Sequence, residues 1–245
     1  MNVSVGTFNI QHGLDYLHLQ ETGEHLINLK RVSDAIKQMN VDICGLNEVR
    51  NHEMLEGKVN QARVIAENLG YHFVFVKAID HHGGEYGNAL VSKYPILSCK
   101  GIPMKTVPEK RLPGNRYYED RVLLCAEVLV EHQVLNVFVS HFGLNKDEFE
   151  VAVSTVCDNV KYCMQPTILM GDFNFIPDSP YYAAIQEMLY DTSDLINENK
   201  NTYSSINPTR RIDYIFVNDQ VKTISAQVLD IIVSDHRPYR VTIDI

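Results

Sequence analysis

Polar and apolar positions change rhythm along the chain, and each change marks an element. Asn2 to Asn9 reads as an opening strand that leads into Gln11-His12-Gly13. Leu29, Val32, Ile36 and Met39 then fall at helical spacing. Val41 to Leu46 is the next strand and ends in Asn47-Glu48. Ala62, Ile65, Ala66 and Leu69 mark a second helix, stopped by Gly70, and Tyr71 to Val76 is a third strand. The alternation predicts a βαβαβ start with amphipathic helices covering one side. After Gly87 strands follow one another: Gly87 to Ser92, Val122 to Val130 and Val134 to Val139, the last two joined by the tight Glu131-His132-Gln133 link. Phe149, Val153, Val156, Val160 and Cys163 give a long helix, Pro166 to Met170 a short buried strand, and Ser179-Pro180 the cap and first turn of a short helix. Ile212 to Val217, Ala226 to Val233 and Tyr239 to Ile243 close the chain as strands. Nothing resembles a linker or an internal repeat. The pattern predicts a single α/β (α+β) domain over residues 1–245, with sheets that mix parallel and antiparallel pairs.

Composition adds little to the fold but narrows the partners. With 245 residues the chain can bury a sizeable core, and 45% hydrophobic and 22% charged residues are ordinary for a soluble protein. No apolar run approaches membrane-spanning length, and the first residues lack the profile of a signal peptide. The five cysteines, Cys44, Cys99, Cys125, Cys157 and Cys163, form no Cys-x-x-Cys pair and read as reduced core thiols in a cytoplasmic protein. A monomer is expected. The net charge of −9 disfavours long nucleic acid, whose binders draw affinity from phosphate neutralisation.

The candidate chemistry sits where apolar strands stop. Beyond Met170 the chain turns at Gly171 and presents Asp172 and Asn174 two residues apart. Together they offer a hard oxygen ligand or base and a group that can orient a water or a phosphate oxygen. Asn9, Glu48 and His141 end other strands, Asp213 lies within Arg211 to Val217, and Asp235-His236 follow Ile231 to Ser234. Any one of these could be an ordinary turn or cap residue. Their recurrence at strand ends, where open α/β folds collect their sites, points to one shared cleft.

These residues carry a resemblance. Thr7-Phe8-Asn9-Ile10, Leu46-Asn47-Glu48-Val49, Gly87 to Ile96, Ser140-His141, Gly171 to Asn174, Arg211 to Phe216 and Ser234 to Pro238 occur in order over essentially the whole chain. In this the chain resembles the endonuclease/exonuclease/phosphatase superfamily, which includes deoxyribonuclease I-like enzymes, abasic-site endonucleases, inositol polyphosphate 5-phosphatases and neutral sphingomyelinases. Asn47 departs from the glutamine commoner there but leaves the Glu48 carboxylate in place. The resemblance implies a four-layer sandwich, two mixed β-sheets packed face to face with helices outside. It also implies Mg2+- or Mn2+-dependent hydrolysis of a phosphodiester or phosphomonoester by in-line attack of an activated water. On this reading Glu48, Asn9 and Asp235 hold the metal. Asp172 and Asn174 handle the water, His236 and His141 contact phosphate oxygens, and Asp213 partners His236. Arg121 and Asn88 bind substrate.

The expected substrate is a small or lipid-derived phosphate ester, with a nuclease or abasic-site endonuclease as the alternative. Specificity is expected in the Lys105 to Asp120 loop, which carries Lys110, Arg111 and Arg116, and in His81 to Tyr86.

Overall fold

The computed structural model describes the chain apart from residues 55, 56, 109, 110, 112, 115, 116 and 197. Its elements run β1 (Asn2–Asn9), α1 (Tyr16–Thr22), α2 (Leu29–Met39), β2 (Ile43–Asn51), α3 (Gln61–Leu69), β3 (His72–His81), β4 (Gly84–Ser92), β5 (Ile96–Met104), β6 (Arg121–Val130) and β7 (Gln133–His141). They continue with α4 (Lys146–Val160), β8 (Thr167–Asp172), α5 (Pro180–Gln186), β9 (Tyr190–Asp191), β10 (Asp213–Val217), β11 (Lys222–Val228) and β12 (Tyr239–Asp244). Helix boundaries follow local chemistry. Asn28 and Asn60 accept the Arg31 and Arg63 amides at the starts of α2 and α3, and Gly70 ends α3 in the left-handed region at φ 71°. Ser179 caps α5 and Pro180 opens it.

The strands form two six-stranded sheets, ordered β11-β12-β1-β2-β4-β3 and β5-β6-β7-β8-β10-β9. Each is mixed: β1 runs parallel to β2 and β7 to β8, and the remaining pairs are antiparallel. Between the sheets lies an apolar layer of alternate residues, among them Val3, Val5, Ile43, Leu90, Leu124, Val137, Val139, Ile168, Met170 and Val241. The outer face of the first sheet packs on α2 and α3 through Phe8, Val32, Ile36, Leu46 and Ile65. The second sheet packs on α4 and α5 through Phe138, Val156, Phe173, Ile185 and Phe216. The product is the expected four-layer sandwich. Among the described residues no helix is long and apolar enough to cross a membrane.

Several local expectations need correction. β3 does not follow β2 as a parallel neighbour; it pairs antiparallel with β4 at the sheet edge, so the opening is one βαβ unit plus a hairpin. β5 went unpredicted because residues 97–101 are all exposed, leaving no buried stripe to signal a strand. The strand expected at 226–233 is displaced to β11. Asp235 and His236 therefore lie in the loop before β12 rather than at a strand's carboxyl end. The core-thiol reading holds for Cys44 and Cys125, whereas Cys99 is exposed and Cys157 and Cys163 are half-buried. Lys110 and Arg116 lie outside the described residues.

Close approach of the sheets fixes one glycine. A Cβ on Gly45 would lie 2.8 Å from Met170 Sδ and 2.9 Å from Val139 Cγ2. Methionine can swing aside, but β-branched Val139 cannot. Gly45→Ala should lose about 1–3 kcal/mol as the sheets are wedged apart, read as a lower melting temperature; an unchanged melting temperature would contradict this packing.

Candidate active site

The polar residues converge at one pole of the sandwich. There β1, β2, β7 and β8 end while β6, β10 and β12 begin. A cleft of about 350 Å³ opens at this pole. Its lining includes Glu48, Arg121, His141, Asp172, Asn174, Asp235 and His236, with Tyr86, Tyr117, Leu144, Tyr203 and Arg210 among its walls.

Glu48 reaches the cleft through a local break in the ladder. The register between β2 and β4 shifts between Leu46 and Val49, and Glu48 adopts φ 60°. A bulge of this kind re-aims a side chain that the pleat would otherwise turn aside, at some conformational cost. Across the seam, β8 delivers Asp172 after Gly171, whose φ is 144°. A Cβ on Gly171 would collide with the Ser140 carbonyl oxygen on neighbouring β7, so only glycine fits. Asn174 follows at φ 55° and donates from Nδ2 to the Phe142 carbonyl at 3.0 Å.

Buried carboxamides join the two sides. Asn9 Nδ2 donates to Glu48 Oε1 and to Asp172 Oδ2, both at 3.1 Å. Its Oδ1 accepts the Gln11 amide at 3.0 Å. Asn9 thus turns its nitrogen towards the two carboxylates and ties them together as a strut. Asn47 is fully hydrogen-bonded: its Oδ1 accepts the Asp172 amide at 2.9 Å, and its Nδ2 donates to Ser140 O and to Asn88 Oδ1, each at 2.9 Å. Asn88 in turn donates to Val122 O at 2.9 Å. Asn88 is thus buried between the sheets and does not line the cleft, which corrects its expected substrate contact.

Charge is arranged around Asp172. Burial raises its carboxyl to about 7, against the opposing pull of a charged His236. His236 Nδ1 lies 2.8 Å from Asp213 Oδ2, and its Nε2 lies 3.6 Å from Asp172 Oδ2. Burial pulls the His236 imidazole down, but Asp213 and then Asp172 outweigh it and lift it to about 10. Asp213 Oδ1 is buried without a hydrogen bond, so that carboxylate is directed at His236 alone. His141 is the opposite case. Burial, Arg121 and His236 all hold it well below the usual histidine range, hence neutral. Arg121 Nη1 donates to His141 Nδ1 at 3.2 Å, which leaves the proton on Nε2, 3.6 Å from Asp172 Oδ2. Arg121 also pairs with Glu119.

Two groups of donors could hold a cation. Atoms of Asp172, Asp213 and His236 lie within 4.8 Å of one another. The His236–Asp213 hydrogen bond commits those two to each other, so the trio is better suited to holding protons. Glu48 and Asp235 instead face the cleft with oxygen donors, and none of the described lining residues is a cysteine. A small, hard divalent cation fits that set. Tyr86, Tyr117, Glu119, Tyr203 and Arg210 were not singled out from the sequence. Tyr117 and Glu119 lie in the loop expected to set specificity and Tyr86 in the 81–86 segment, which proves to be the turn into β4, whereas nothing in the pattern marked Tyr203 or Arg210.

The chain matches the family model for the Endonuclease/Exonuclease/phosphatase family over residues 6–236, and it belongs to that family of phosphoester hydrolases. It is 29% identical over 148 residues to Protein cwh43 of Schizosaccharomyces pombe, a match covering 60% of this chain but only 13% of that protein. The fold is shared with an endonuclease/exonuclease/phosphatase from Bacteroides vulgatus, with TM-score 0.78, 21% identity and coverage of 100% and 99% of the two chains. A mannosyl-6-phosphatase from Bacteroides thetaiotaomicron is similar too, with TM-score 0.75, 18% identity and coverage of 99% and 100%.

The Asp213–His236 pair gives a pH test with a definite sign. His236 holds its proton more tightly folded than unfolded. The pair's stabilisation is therefore complete below the ordinary histidine value of 6.5 and is lost as pH rises towards about 10. Asp213→Asn should lower the His236 pKa, followed by NMR titration of its ring proton, and should flatten the decline in stability over that window. A His236 that titrates unchanged in Asp213→Asn would contradict the assignment.

Proposed function

We propose that this chain hydrolyses a small or lipid-derived phosphate ester with Mg2+ or Mn2+, using a water that attacks in line with the leaving oxygen. The observation that carries the reading is the Asn9 bridge, which sets the cleft-facing Glu48 carboxylate beside the high-pKa Asp172 carboxylate.

Glu48 and Asp235 are the residues to hold the metal. Once bound, the ion offsets charge developing on the phosphate and the leaving oxygen. Asp172 receives the water's proton: a carboxyl near 7 is matched to accepting and returning one at neutral pH. Asn174 orients the water from the adjoining turn. His236, kept cationic by Asp213, donates from Nε2 to a non-bridging oxygen, and His141 donates from its Nε2 without adding charge. Arg121 lines the cleft beside His141, which brings its guanidinium to a substrate oxygen there.

The overall charge of −9 favours a compact substrate over duplex DNA. Of the three cations expected to offer charge from the Lys105 to Asp120 loop, Arg111 lies over the Tyr118 ring at 4.8 Å and so is engaged within the chain, while Lys110 and Arg116 lie outside the described residues.

The test is a panel of phosphomonoesters, phosphodiesters, oligonucleotides and lipids, assayed with and without Mg2+ on wild type and Glu48→Gln. Activity should require the ion. Glu48→Gln should raise the Mg2+ concentration for half-activation by roughly tenfold or more while the fold survives. A variant that titrates Mg2+ like wild type at full turnover would overturn the Glu48 assignment. Cleavage of abasic duplex DNA outpacing every small ester would overturn the substrate class.

A further inference from the structure

Among the described residues, several basic side chains near the cleft and the groove beside it are already neutralised within the chain. Arg121 is held by Glu119, Lys105 by Asp120 at 3.0 Å, and buried Arg211 by Asp191 at 2.9 Å. Arg210 and Lys200 are different. Arg210 is exposed and Lys200 half-exposed, and neither side chain makes an ion pair or hydrogen bond among the described residues. Both face one groove of about 360 Å³, between the Ile176-Pro177 turn and the hairpin closed by the bridge of Tyr203 to Arg210. Arg210 lines this groove and the catalytic cleft alike, so the two adjoin. Thr209 and Asn201 add polar edges, while Ile176 and Pro177 form an apolar side.

Two uncompensated cations at the mouth of the site are notable in a chain with 22 basic and 31 acidic residues, because they create a local positive potential against an acidic background. A guanidinium presents a planar fork suited to phosphate, and an ammonium beside it supplies a second point charge. We propose that this groove is a second anion subsite, and that the preferred substrate is a small phosphate ester carrying a further phosphate or comparable anion beside the scissile one. This rests on the phosphoesterase reading and sharpens it. Two uncompensated cations in a single short groove, with no row of others extending from it among the described residues, match a compact bisphosphorylated molecule rather than a nucleic-acid strand.

The experiment compares a hexose monophosphate, the matching hexose bisphosphate and a single-stranded oligonucleotide on wild type and on Lys200→Gln/Arg210→Gln. Charge-assisted hydrogen bonds of this kind are strong enough that the ratio of kcat/KM, bisphosphate over monophosphate, should fall about tenfold or more in the variant. Calorimetric binding of the bisphosphate to the metal-free proteins should weaken in parallel, which reads the subsite without turnover. An unchanged ratio with unchanged binding overturns the subsite, as does a loss confined to the oligonucleotide. Should wild type turn over no ester with Mg2+, the phosphoesterase reading fails, and the calorimetric comparison alone decides whether the groove binds the second anion.

Discussion

The site depends on hydrogen bonds that cross the sandwich. Glu48 belongs to one sheet and Asp172 to the other, and apolar contacts between the sheets are non-directional, so they cannot by themselves fix two carboxylates in register. Asn9 and Asn47 supply the direction. Asn9 reaches from β1 to Glu48 and to Asp172. Asn47 reaches from β2 to the Asp172 amide, the Ser140 carbonyl and Asn88, which itself reaches the Val122 carbonyl at the start of β6. All three carboxamides are buried, where an unmade hydrogen bond is costly, so the network resists sliding of one sheet over the other.

That constraint has an electrostatic consequence. Asp172, His141 and His236 are confined in a dry floor, where burial governs each pKa and neighbouring charges decide the outcome. Two histidines flank one carboxylate at equal distances of 3.6 Å, yet they end in opposite states: Asp213 backs His236 and Arg121 backs His141. One histidine is a cation and the other a neutral donor, a division of labour set by the residue behind each ring.

Much of this was legible in the sequence because it is local. Strand ends, helix caps and the Gly171-Asp172-Phe173-Asn174 turn write themselves into adjacent residues; the order of elements pointed to mixed sheets, and the four-layer arrangement came from the family resemblance. What was not legible depends on contacts between distant segments. Asn88 reads as a site residue from its motif, yet its partners on β2 and β6 place it between the sheets. Asn47 stands out only as a departure from a commoner glutamine; its work is visible once β2, β7 and β8 are side by side. Arg210 and its neighbour Arg211 look equivalent in the chain, but one is ion-paired and buried while the other is exposed at the mouth. The bulge at Glu48 has no sequence signal, since the residue in the left-handed region is a glutamate, which does not favour that backbone.

The claim at the centre is that two carboxylates from different sheets act as one unit, and a double-mutant cycle on kcat/KM tests it most directly. Glu48→Gln, Asp172→Asn and their combination would be assayed on one phosphate ester at saturating Mg2+, with folding checked by circular dichroism. Groups that serve a single displacement step are strongly non-additive, so the double variant should be scarcely slower than the worse single variant. Losses that multiply, each variant lowering the rate independently of the other, would contradict the account.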